Sequence, residues 1–190
     1  MNTNKNLRNL VLLALFAGLI FLMGQTPLGL IPLGFCNVTL LVIPVAVGTI
    51  YLGWRSGIVL GGAFAATSLV SAFIKPSALV SALMGASPLM AVAMTLIPRV
   101  CIPLVIAGVY HLLSGKQKHI AAAVAAACGS LTNTVLYLGL MLLFYVLCGI
   151  DNTAVLTTIA AVAGGAGPLE ALAAAIVTPS ILAALWRMKK

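Results

Sequence analysis

LMAVAMTLIPRVCIPLVIAGVYHLL, residues 89–113, carries one Lys, Arg, Asp or Glu side chain, Arg99, in 25 residues. An apolar run of more than about 18 residues is long enough to cross a hydrocarbon core of roughly 30 Å as a helix. The stretch is typical of the chain, whose 190 residues are 63% hydrophobic and 6% charged. A soluble domain carries roughly a quarter charged residues. Lipid rather than water is therefore the main solvent of this fold, and the chain reads as an all-α integral membrane protein.

Dividing the apolar runs at glycine, proline and charge clusters predicts helices near 7–24, 38–53, 57–74, 89–113, 120–147 and 168–187, a bundle of six transmembrane helices in a single domain, 1–190. The second is short and interrupted by Pro44. The apolar run from Leu10 to Met23 has no small-residue cleavage site after it and reads as a retained first helix rather than a signal peptide. On this division one side collects Lys5, Arg8, Arg55, Lys116, Lys118, Arg187, Lys189 and Lys190, and the other only Lys75 and Asp151. The positive-inside rule makes the first side cytoplasmic, with both termini inside, as in a multi-pass membrane protein. The inner turns at Gly53–Ser56 and Ser114–His119 are tight, while the outer segments 24–37 and 149–167 are long. The first of these holds prolines and glycines that exclude a helix and favour a shaped lid. The second ends in Gly164, Gly165 and Gly167, which predicts non-helical backbone close to the membrane.

The formal charge of +8 raises the question of a polyanionic partner. The cations sit at helix ends without interleaved aromatic residues, so no nucleic acid is expected. Cys36, Cys101, Cys128 and Cys148 are scattered in apolar settings and indicate neither disulfides nor a metal site. His111 and His119 lack metal-site spacing, and there is no nucleophile with a base, no paired carboxylates and no Walker motif. No catalytic residue or metal is expected, and the chain is not expected to hydrolyse ATP.

Arg99 is the exception that demands an account, because a cation near mid-bilayer costs at least about 2.5–3.5 kcal/mol. Thr95 and Pro103 share its face, and Pro98 frees a carbonyl beside it. A guanidinium there suits a carboxylate ligand; the competing reading is a structural salt bridge to Glu170. That glutamate could instead cap a helix, with Gly167 as N-cap and Pro168 as first residue, or face a ligand. Ser130, Asn133, Thr134 and Tyr137 follow at spacings of three and four and form a polar stripe inside the membrane, either a ligand-facing wall or interhelical hydrogen bonding. Asn37 ends the first long outer segment. Gly57, Gly61 and Ala65, and Ala122, Ala126 and Ser130, form small-residue packing seams, and Ala14 and Gly18 make a similar pair usable within the bundle or for docking.

In order along nearly the whole chain, the Ala14/Gly18 pair, IPLGFCNVTLLVIPVAVGTIYLG, PRVCIPLVIAG, GSLTNTVLYLG and GPLEALAAAI resemble the S components of energy-coupling factor (ECF) vitamin transporters. The resemblance implies a six-helix subunit that captures a vitamin outside and works with a transmembrane scaffold subunit and two ATPase subunits, which carry the ATP and Mg. The loaded subunit would topple in the lipid bilayer, and the first-helix pair would dock on the scaffold; Gly18 stands where the family has alanine. The segments look most like the branch of pantothenate, folate and riboflavin binders. Pantothenate is favoured, because one carboxylate would balance Arg99 and its hydroxyls and amide suit Ser130, Asn133 and Thr134. The implied site is Arg99, Asn133, Ser130, Thr134, Tyr137, Glu170, Asn37 and Thr95. The alternatives are another vitamin, or a membrane assembly protein in which Arg99 and Glu170 lock the bundle.

Overall fold

The computed structural model describes residues 3–26, 29–32, 37–115 and 117–187, with side chains at 6–26, 29, 39–115 and 117–187. Helix α1 (Thr3–Gln25) leads through a small antiparallel hairpin, β1 (Leu30–Pro32) and β2 (Asn37–Thr39), into α2 (Val42–Leu52). Then come α3 (Trp54–Ile74), the short α4 (Ala78–Ala86), α5 (Pro88–Leu113) and α6 (Lys118–Leu147). Helix α7 (Thr153–Ala161) continues through one π-helical segment, Val162–Ala166, into α8 (Gly167–Arg187). Helices dominate because a backbone in lipid must satisfy its N–H and C=O groups within its own segment.

Five described helical runs are long and apolar enough to cross a membrane, α7 to α8 counting as one run of 35 residues. The 11 residues of α2 rise only about 16 Å, half of a hydrocarbon core of roughly 30 Å. Protein surrounds this helix instead: α1, α3, α5, α6 and α8 all pack on it, and Val45, Ala46 and Val47 are wholly buried. An all-round apolar helix is stable in such a place.

The connections differ from the sequence reading in four respects. Pro44 does not interrupt α2; it is the third residue of the helix, in the first turn, where a missing N–H leaves no bond unmade. Residues 37–39 form β2 rather than helix, and α2 begins at Val42. The glycine-rich segment before Glu170 is helical throughout, since backbone beside lipid keeps its bonds internal even where glycine propensity is poor, and the extra residue is absorbed as a π turn. The segment after Lys75 contains α4, which lies between Pro76 and Pro88 and buries Leu79, Val80 and Leu83 against α5, α6 and α7. Tyr145 donates to the Leu79 carbonyl at 2.6 Å and fixes that packing.

Gly53 alone joins α2 to α3, with φ 98° and ψ 165°. That conformation is essentially restricted to glycine. Gly53→Ala should therefore lower stability by about 1–3 kcal/mol in a thermal melt of the detergent-solubilised protein. The same change at Gly62, whose Cβ position is open, should be neutral or slightly stabilising. Equal melting temperatures for the two variants would contradict this role of the turn.

The core is layered along the bundle. One end packs Val47, Tyr51, Tyr110, Ala122, Leu182 and Trp186. The middle packs Ile20, Leu60, Phe64, Ile102 and Ala126, and the far end packs α4 with Met94, Met141, Tyr145 and Val155. Arg8, Arg55, Lys118 and Arg187 belong to the first end, where His119 meets the Trp186 ring edge-on at 5.1 Å. Among the described residues, the ends of the helices on the far side carry only Lys75 and Asp151.

Candidate substrate-binding site

Arg99 is placed by the close approach of α3 and α5. Pro103 has no N–H to offer the Arg99 carbonyl, and that oxygen lies against Gly61, where a Cβ would come within 2.6 Å of it. Glycine at 61 is what lets the two helices meet here. The Arg99 side chain is 7% exposed. Its guanidinium carbon lies 5.3 Å from the Phe64 ring centroid and 4.7 Å from that of Tyr137, so aromatic faces supply part of its compensation. Nε and Nη1 are buried without a hydrogen-bond partner.

Glu170 is engaged elsewhere. Its Oε1 accepts the backbone N–H of Thr39 at 2.6 Å, and its Oε2 lies 3.5 Å from the Thr134 hydroxyl, the outer limit of a hydrogen bond. The carboxylate thus ties the end of β2 to α8 and α6. It does not cap a helix, because Gly167 is itself helical (φ −61°, ψ −50°) and the chain runs unbroken from α7 into α8. A charge in this position needs such donors, since an unbonded carboxylate in the protein interior is far costlier than a bonded one.

These groups border a partly open cavity, about 800 Å³ of empty space when the open solvent at its mouth is counted. From α5 it receives Thr95 and Arg99, from α6 Asn133, Thr134, Tyr137 and Leu138, and from the π segment and α8 Val162 and Glu170. The strand end contributes Thr39, and α3 and α4 contribute Ser68, Ser71, Lys75 and Val80. All come from the half of their elements away from the Arg8, Arg55, Lys118 and Arg187 end. A concave site with a few convergent polar groups suits a small molecule.

The family described as ECF transporter, substrate-specific component, matches residues 8–188. The chain belongs to that family. It is accordingly an integral membrane protein whose part in an ECF transporter is to bind substrate, and the family implies a small-molecule substrate and an ECF scaffold and ATPase module. No curated protein matches the chain.

Within this substrate-specific component, six of the residues singled out in the sequence, Thr95, Arg99, Asn133, Thr134, Tyr137 and Glu170, come together around the cavity. Ser130 does not. It is 1% exposed with an unpartnered hydroxyl and lies one turn deeper in α6, beneath the lining that begins at Asn133. The side chain of Asn37 lies outside the described residues. Thr39, Ser68, Ser71, Lys75 and Ser77 line the cavity although the sequence reading passed them over. Ser68, Ser71 and Lys75 share one helical face at spacings of three and four, a pattern that could have been noticed. Ala14 and Gly18 are both exposed, and a Cβ at Gly18 would meet nothing within 4 Å. Helix α1 turns Leu13, Phe16, Ala17 and Ile20 to the core instead.

Proposed function

We propose that this chain is the vitamin-capturing subunit of an ATP-driven ECF importer in a bacterial cytoplasmic membrane, that its substrate is a small carboxylic acid, and that the acid is pantothenate. In this reading the chain is one domain with α2 completing six crossings, and both termini face the cytoplasm. The cavity then opens outward, towards the solute to be captured. One scaffold subunit and two ATPases, which bind the ATP and Mg, return the emptied subunit to the outer side. Arg99 takes the carboxylate, while Asn133, Thr134, Thr95 and Tyr137 meet the hydroxyls and amide.

The observation that carries this reading is the state of the two buried charges. The Glu170 carboxylate is bonded to Thr39 and reaches Thr134, whereas the guanidinium at the cavity wall keeps unbonded N–H groups. A locked Arg–Glu pair would have favoured a purely structural role. Two cations, Arg99 and Lys75, against one carboxylate, Glu170, give the described lining a formal charge of +1, which favours an anion over neutral riboflavin. Calorimetric titration of the purified chain with pantothenate, folate and riboflavin tests the choice. Heat of binding with pantothenate alone is expected; saturable binding of either other vitamin and none of pantothenate would replace it.

A further inference from the structure

Lys75 breaks the charge pattern that the rest of the chain follows. Arg8, Arg55, Lys118 and Arg187 gather at one end of the bundle, as the positive-inside rule requires. Lys75 is the only Lys or Arg among the described residues at the other end. Among the described residues that line the cavity it is also the only exposed one, so it marks the mouth. Behind it on the same face of α3, Ser71 and Ser68 line the cavity inwards, and the Ser68 hydroxyl has no hydrogen-bond partner. Asp151, the other charged residue at this end, has its carboxylate held by the N–H and hydroxyl of Thr153, at 3.0 and 2.9 Å. Among the described residues, the mouth therefore presents one ammonium and the interior one guanidinium.

We infer that Lys75 is the capture residue for the anionic substrate: it attracts the acid to the mouth and raises the rate at which it reaches Arg99, without being the group that holds it once bound. The inference rests on the acid-binding reading of the cavity. A rival account is that Lys75, at the C-terminus of α3, only complements the helix dipole. That account moves thermal stability and leaves association unchanged.

Rapid mixing of the full-length purified chain with radiolabelled pantothenate separates the two. At low salt, Lys75→Gln should slow association about fourfold, the Boltzmann factor for unit charges meeting about 5 Å apart in water. Lys75→Glu, which replaces attraction by repulsion, should slow it about sixteenfold. High salt should bring the three proteins together, because screening shortens the reach of the field. Dissociation rates should stay alike, as is usual when a charge lies at the rim of a site. Superimposable association rates at low salt, or a loss carried by dissociation at every salt concentration, would overturn the capture role while leaving acid binding intact. Failure of the unaltered protein to bind pantothenate would remove the acid-binding reading and the capture role together.

Discussion

Arg99→Gln should weaken pantothenate binding about 10- to 1,000-fold, the effect of roughly 1.5–4 kcal/mol expected when one partner of a charge-assisted pair is removed. The melting temperature of the empty protein should change little. Removing the cation relieves an insertion penalty of about 2.5–3.5 kcal/mol. It also forfeits the attraction of the Phe64 and Tyr137 rings, about 2 kcal/mol when such a contact is desolvated. These terms nearly cancel, so the variant separates binding from folding. A structural Arg99–Glu170 lock predicts otherwise: both single Gln variants melt lower, and the double variant recovers part of the loss. The contacts of Glu170 argue for no such recovery, since Gln at 170 still offers an oxygen to the Thr39 N–H. Calorimetry and melting on the three variants decide between the accounts.

Ala14→Trp or Gly18→Trp should abolish uptake by the assembled transporter while leaving vitamin binding to the isolated chain within about twofold, a difference of some 0.4 kcal/mol. Both positions face away from the core, and the space over Gly18 is open, so an indole has nothing in the bundle to displace. Small residues matter where another helix backbone must approach closely, and a Trp side chain prevents that approach. Parallel assays of binding and transport check this. Equal loss of both would assign the pair to packing within the bundle.

The long spans were legible in the sequence because bilayer thickness sets a minimum apolar length, which α1, α3, α5, α6 and α8 meet on their own residues. The site was partly legible for a related reason. A cation such as Arg99, or a polar stripe such as Asn133, Thr134 and Tyr137, stands out against an apolar background at helical spacing. What escaped was whatever depends on the main chain or on where an element ends. Thr39 enters through its backbone N–H, which any residue but proline carries, and it meets Glu170 across 131 positions of sequence. Lys75 became a site residue only once the end of α3 was seen at the mouth. Gly164 and Gly165 looked like a break because glycine propensity was weighed as in water, where an open backbone finds other partners. Ser130 has the right period and the wrong depth, and period alone cannot tell the two apart.

The claim at the centre is that the cavity below Lys75 holds a small acid on Arg99. Mass spectrometry of small molecules released from the protein purified without added ligand tests this directly, with the Arg99→Gln variant purified in parallel. The account predicts pantothenate released from the unaltered chain and its absence from the variant. A neutral vitamin, or the same acid in equal amount from both proteins, would contradict it.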